Sequence, residues 1–291
     1  MTFADDEIAI QASAWAKAAS LAVEVRGDLP EHGARVAMVG CGSSWFMSMA
    51  FAGLRESGGF GLTDAYTASE FNHRRTYDHM IAISRSGTTS ETLGLLEQLH
   101  GSVRTTSITT VADSPIALAA DRTITLDFID EKSVMSTGSM TSSLALLRAH
   151  LGHDLGRAID QVAGALAAPI DELAACEQIS FIGSGWTIGL AHEAALKTRE
   201  AAQFWAEAHP AMDYRHGPIS VAQPGRAVWS FGPAPAGLET EVRNTGALFE
   251  SNTIDPMAHL VTAQRVAVQI AKNRGLNPDA PRNLSRSIIL V

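Results

Sequence analysis

Two cysteines, Cys41 and Cys176, stand in a chain of 291 residues, far apart and without a Cys-x-x-Cys or Cys/His spacing. That scarcity excludes a disulfide framework and a structural zinc site, and it fits a reducing compartment. Basic runs are missing too. The chain has 22 Lys and Arg against 31 Asp and Glu, a formal charge of −9, so the broad positive face of a nucleic-acid binder is ruled out. An acidic chain still binds a small anion locally, with helix N-termini and backbone N–H groups. No apolar stretch reaches membrane-spanning length, and Asp5, Asp6 and Glu7 after Met1 are unlike the charged start of a secretory signal. The expectation is a soluble cytoplasmic protein with no membrane and no nucleic-acid partner.

What is present is an ordinary globular composition, 46% hydrophobic with 24 Gly, long enough for two modest cores. Residues 5–26 read as one Ala-rich amphipathic helix, broken by Gly27, Pro30 and Gly33. Short apolar strands then alternate with helices. Strands are predicted at 36–39, 65–68, 80–84, 105–110 and 123–128, with helices at 43–54, 90–100 and 137–151. This is the signature of a parallel, doubly wound α/β sheet. After the Ala-rich stretch 162–175 a second round follows: strand 179–182, a long helix 187–206, strand 227–231 and helix 238–249.

VAMVGCGSSW (36–45) and ISFIGSGW (179–186) both run apolar strand, Gly-x-Gly, helix, as an internal duplication would. A full second copy would need a further strand and helix after residue 249, so the second sheet is expected to be reduced. The domains are expected at 1–160 and 161–291.

Two loops carry the chemistry. In GCGSSW, Gly40 and Gly42 allow close backbone approach, while Ser43 and Ser44 bring hydroxyls to a helix N-terminus whose free N–H groups attract an anion. In SRSGTTSETL, Ser84, Ser86, Thr88 and Thr89 crowd round Gly87 before another helix. Both lie at carboxyl ends of parallel strands, where open α/β sheets bind ligands. Neither loop has Gly-Lys-Ser/Thr or G-x-G-x-x-G, so a nucleotide is not implied. Hydroxyls at such positions also serve as plain helix caps; two such loops, with SVMSTGSMTSS (133–143) opening a third helix, favour phosphate.

A second constellation lies on helix 187–206 and just past its end, where Glu193, Lys197, Glu200, Phe204 and Glu207 form one stripe at i, i+4, i+7 spacing. On the residues alone this reads first as a solvated face with a Glu193–Lys197 ion pair.

The chain resembles the SIS (sugar isomerase) family, specifically the isomerase domain of glucosamine-6-phosphate synthase and stand-alone amino-sugar-phosphate deaminases and isomerases. The segments that carry this are GCGSS (40–44), ASEF (68–71), ISRSGTTSETL (83–93), VMST (134–137), HEAALKTREAAQFWAEA (192–208), RHGP (215–218) and PRNLSRS (281–287). The resemblance implies two SIS domains with flavodoxin-like parallel sheets, in a homodimer whose active site takes residues from both subunits, acting on a small sugar phosphate without a cofactor or metal. It implies that Ser43, Ser44, Ser84, Ser86 and Thr89 hold the phosphate, with Val134 and Ser136 lining the sugar. Arg85 stands where the synthases have Gln, an extra charge that would strengthen anion binding.

By the same resemblance Glu200 is the base moving a proton between C1 and C2 of the open-chain sugar, Lys197 lies beside it, and His216 opens the ring. His192 and His209 receive no role. Arg286 occupies the position of the synthases' imine-forming lysine, and a guanidinium cannot form a Schiff base. The expected activity is therefore isomerisation or deamination of a sugar or amino-sugar 6-phosphate. Deglycation of a fructosamine 6-phosphate and non-catalytic sugar-phosphate sensing are the alternatives.

Overall fold

In the computed structural model, which describes residues 2–290, the two central strands of the first sheet are buried along their whole length. A parallel sheet covered on both faces by helices has no solvent side, so its strands read as continuous apolar runs. The chain divides into two compact units. One comprises Ser13–Glu131, Gly138–Leu155 and the tail from Ser285; the other comprises the residues up to Ala12, Lys132–Thr137 and Gly156–Leu284.

In chain order the elements are α1 (Phe3–Ala9), α2 (Gln11–Glu24), β1 (Val36–Gly40), α3 (Ser43–Ser57), β2 (Thr63–Thr67), β3 (His79–Ile83), α4 (Ser90–Leu99), β4 (Arg104–Thr109), α5 (Pro115–Ala119), β5 (Arg122–Thr125) and α6 (Gly138–His150). There follow α7 (Gly156–Ala167), α8 (Asp171–Ala174), β6 (Gln178–Gly183), α9 (Thr187–Ala202), β7 (Ala206–Pro210), β8 (Arg226–Phe231), α10 (Leu238–Asn244), β9 (Leu248–Ser251) and α11 (Pro256–Asn273).

The first sheet has the order β2-β1-β3-β4-β5, all parallel. Ala37 and Val39 of β1 pack with Met80 and Ala82 of β3, Leu95 and Leu96 of α4, and Ile116 of α5. Because β1 connects to β2 on one side and its other neighbour is β3, the strand order reverses between β1 and β3, which opens a crevice at their carboxyl ends.

His79 begins β3 at 3% exposure. Thr106 donates its hydroxyl hydrogen to the Asp28 carbonyl at 2.7 Å, so at 2.9 Å it accepts from His79 Nε2–H. Burial, with Arg104 and Arg55 nearby, pushes the imidazole pKa down from 6.5 to about 4. The depressed pKa belongs to a base, so between these values the unfolded chain holds a proton that the folded one refuses. Stability is then full above pH 6.5 and falls as pH drops towards 4, by about 3 kcal/mol in all. Urea titrations at pH 5 and 6 should show a slope about 1.2 kcal/mol per pH unit steeper in the wild type than in His79→Gln; equal slopes would refute the assignment.

The second sheet has the order β7-β6-β8-β9, again all parallel. It repeats the connectivity of the first up to its fourth strand and, among the described residues, lacks a counterpart of β5, so the expected reduction is a missing edge strand. The likeness of the two sheets extends to the turns. A Cβ at Gly40 would lie 2.5 Å from Ser44 Cβ, and one at Gly183 would lie 2.4 Å from the Thr187 carbonyl oxygen, so in both places only glycine lets the following helix pack this close to its strand. α11 packs on α9 and α7, with Ala194, Ala195, Ala201 and Ala202 of α9 and Ala258, Ala263, Ala267 and Ala271 of α11 all buried. Among the described residues no helix is long and apolar enough to cross a membrane.

Several boundaries differ from the sequence reading. The first helix is two, α1 and α2, parted at Ile10. The long helix stops at Ala202, where Gln203 turns left-handed with φ 49°, and 206–210 is strand β7. Helix 238–249 ends at Asn244, the chain turns through Gly246 at φ 85°, and 248–251 is strand β9, followed by the unforeseen 18-residue α11.

Candidate functional site

β1 and β3 are hydrogen-bonded neighbours in register Val39↔Ala82, so the loops Gly42–Ser44 and Ser84–Thr89 leave adjacent strand ends at the crevice. Ser43 and Ser44 are each 7% exposed, and Ser44 rests its hydroxyl on Met140 Sδ at 3.3 Å. In the second loop Ser84 Oγ accepts from Gly87 N at 3.2 Å and lies 3.3 Å from Thr89 Oγ1. Ser86 Oγ accepts from Thr88 N at 3.2 Å and from Thr88 Oγ1 at 3.0 Å. The hydroxyls thus organise one another round the turn.

Helix starts in this chain are of two kinds, and α8, α9 and α10 share the uncapped kind with the loops at the crevice. Thr2 caps α1 in a capping box, Ser114 caps α5 and Asp255 caps α11. α3 and α4, the helices that leave the crevice, have no side-chain cap: Gly42 has no side chain, and Thr89 makes no capping bond. N-termini without side-chain caps retain anion-attracting N–H groups and dipole charge. One such group, Ser90 N, donates to the Ile288 carbonyl of the tail at 3.2 Å.

Gly87 sits at φ +65°, and a Cβ there would come within 1.9 Å of Ser114 Oγ. Gly87→Ala should therefore destabilise by about 2–4 kcal/mol, from left-handed strain plus overpacking. Urea unfolding checks this, and Ser114→Gly in the same background should recover only the overpacking part.

Arg85 is buried beside a carboxylate. Its guanidinium lies 3.8 Å from the Glu131 carboxylate, with side-chain exposures of 7% and 1%, and it donates to the Arg286 carbonyl at 3.2 Å. Its charge is offset by Glu131, which also accepts from the Ser139 hydroxyl. Arg286 donates to the Glu131 carbonyl. Glu131 is the member of this cluster that the sequence reading missed.

In the other unit, α9 brings Lys197 between two carboxylates. Its Nζ is 3.8 Å from Glu193 Oε1 and hydrogen-bonded to Glu200 Oε2, with side-chain exposures of 1% for Lys197, 0% for Glu193 and 19% for Glu200. The solvated-face alternative is corrected in one respect: Glu193 and Lys197 are buried and Glu200 is partly exposed, while the Glu193–Lys197 ion pair is present. Glu200 Oε1 has no protein partner among the described residues. Phe204 and Glu207 leave the stripe because α9 has ended. Glu207 lies on β7, accepting from Trp205 Nε1 at 3.1 Å, with His209 Nε2 at 3.3 Å.

His216 is exposed on the 3₁₀ turn Asp213–His216. His192 is half-buried, and burial pulls its imidazole pKa below the usual value. Val134 and Ser136 lie in the irregular segment 132–137 of this same unit. Among the described residues no three His, Cys, Asp or Glu side chains gather as a metal would need.

Comparison with known proteins gives this geometry relatives. The chain is 27% identical over 296 residues to a glutamine–fructose-6-phosphate aminotransferase (isomerizing) of Sulfolobus acidocaldarius, covering 87% of this chain and 50% of that protein. It is 29% identical over 320 residues to the enzyme of that name from Methanothermobacter thermautotrophicus, covering 91% and 53%. The chain therefore spans about half the length of the curated relatives it matches. In structure it is similar to glucosamine-6-phosphate deaminase of Thermotoga maritima, with a TM-score of 0.81 at 22% identity over 99% of this chain and 100% of that one. It is also similar to tagatose-6-phosphate ketose/aldose isomerase of Escherichia coli, with a TM-score of 0.79 at 17% identity over 98% and 97%. At these identities the structural likeness speaks for the fold alone. Residues 31–151, which include β1–β5 and both hydroxyl-lined loops, match the SIS domain family.

Proposed function

We propose that the chain is an enzyme that binds a sugar or amino-sugar 6-phosphate and moves a proton between C1 and C2. Support for the phosphate end comes from Ser43, Ser44, Ser84, Ser86 and Thr89 at two helix N-termini without side-chain caps, beside the strand-order reversal. The observation that carries the proton transfer is Glu200: Lys197 holds one carboxylate oxygen, and among the described residues the other has no protein partner and is open to the substrate.

In this reading Glu200 removes the C2 proton of the open-chain aldose, the electron pair forms the C1–C2 double bond as the C1 carbonyl π pair moves to O1, and O1 takes a proton to give the enediol. O2 then gives up its proton as the C2 carbonyl forms, and the proton on Glu200 returns to C1. His216 exchanges protons with the ring oxygen and the anomeric hydroxyl to open the ring. With a 2-amino group, the imine formed after tautomerisation is hydrolysed and ammonia leaves. Val134 and Ser136 line the sugar, Arg85 and Arg286 border the phosphate loops, and the working form is a homodimer. A division into domains at 1–160 and 161–291 belongs to the same proposal.

The test is a panel of hexose, 2-amino-hexose and fructosamine 6-phosphates, scored for the isomeric sugar, ammonia and free amino acid. Isomer or ammonia from the first two is expected. Release of amino acid alone would make the enzyme a deglycase, and tight binding with no turnover across the panel would make it a sensor.

A further inference from the structure

Glu7 is a carboxylate on the short helix α1, yet it is only 5% exposed. Its helix is firmly anchored. Thr2 closes a capping box with Asp5, the Asp279 carboxylate accepts from Phe3 N at 3.0 Å and Ala4 N at 2.8 Å, and Lys272 Nζ pairs with Asp5 at 2.7 Å. From that base Glu7 reaches the irregular segment 132–137. Its Oε1 accepts from Lys132 N at 2.5 Å and Ser133 N at 3.0 Å, and its Oε2 accepts from the Ser133 hydroxyl. The next amide, Val134 N, donates to the Asp279 carbonyl at 2.9 Å. Ser133 Oγ also lies 2.7 Å from the Met135 carbonyl.

Three consecutive amides of a segment with no regular structure are thus held by one buried carboxylate and one backbone carbonyl, both from distant parts of the chain. A buried carboxylate accepting several N–H bonds is a rigid reference point, because moving the segment would leave charge-assisted bonds unmade.

We infer that Glu7 is a positioning residue that sets the path of residues 132–136 and so fixes Val134 and Ser136 against the sugar. The inference rests on the proposed function, in which those two residues face the substrate. Glu7 touches no reacting atom. Its loss should weaken recognition of the sugar while leaving the phosphate loops as they were.

The experiment uses the full chain with Glu7→Ala and, as a milder change, Ser133→Ala. Hydrogen exchange is followed for residues 130–137, and equilibrium binding is measured for glucosamine 6-phosphate and for inorganic phosphate. In Glu7→Ala the amides of 132–134 should exchange at least about tenfold faster and glucosamine 6-phosphate affinity should fall about tenfold or more, with inorganic phosphate unchanged within about twofold. Ser133→Ala should show the same pattern at about threefold, and it decides the matter if Glu7→Ala does not fold. Unchanged exchange, unchanged glucosamine 6-phosphate affinity, or equal weakening of both ligands overturns the inference. A wild-type protein that binds neither ligand fails the proposed function before any variant is compared.

Discussion

Glu200→Gln should reduce exchange of the substrate C2 proton with solvent by about 10²–10⁴-fold, the range that a positioned general base contributes. The amide keeps the shape of the side chain and can still meet Lys197 through its oxygen, but it has no basic lone pair to accept a carbon-bound proton. Ligand affinity should survive, because the groups proposed to hold phosphate lie in the other unit, on loops after β1 and β3. Deuterium incorporation from D2O, followed by NMR beside a binding titration, separates the two effects. Exchange at the wild-type rate would remove Glu200 from the role of base. Loss of exchange with an equal loss of affinity would make it a binding residue.

Lys197→Met should cost about 3–5 kcal/mol of folding stability, which is the size expected when one partner of a buried ion pair is removed. The lysine is 1% exposed and Glu193 0%, so its loss leaves Glu193 buried near a second carboxylate, Glu200, without the intervening cation. The desolvation cost of Glu193 is then no longer offset by the lysine. The reason is specific enough to be tested by restoration: Glu193→Gln added to Lys197→Met should recover more than half of the lost stability, since the buried charge that faced the lysine is gone. Urea unfolding of the wild type, both single variants and the double variant gives the coupling. Additive losses would mean that Lys197 matters only through packing.

The sequence made the crevice legible because its determinants are local. Apolar runs at 36–39 and 80–83, each followed by glycine and hydroxyl residues, specify strand, loop and helix without reference to anything distant. The end of α9 was illegible for the opposite reason. HEAALKTREAAQFWAEA contains no glycine or proline and favours a helix throughout. What stops it is tertiary: Arg274 donates to the carbonyls of Ala202 at 3.2 Å and Gln203 at 3.4 Å and lies over the Phe204 ring, while Arg199 donates to the Ala206 carbonyl at 2.8 Å. β7, with no β-branched residue, is a strand because it pairs with β6.

Arg274 follows α11, itself unforeseen, so nothing in the local pattern foretold the stop. Glu7 did leave a trace. It falls on the buried stripe with Ala4, Ile8 and Gln11, and a charged residue at such a position needs a polar partner. The pairing of Arg85 with Glu131 left none, because the two lie 46 positions apart and meet only through the fold.

The account depends most on the two loops at the β1/β3 crevice being the place where phosphate is held. An amide-resolved NMR titration with glucosamine 6-phosphate addresses that directly. Saturable shifts are predicted for the amides of 42–45 and 86–91, at the N-termini of α3 and α4, with none for 184–187 at the N-terminus of α9, whose Thr187 hydroxyl is spent on the Phe231 carbonyl at 2.8 Å. Saturable shifts at 184–187 with none at the first two loops would contradict it.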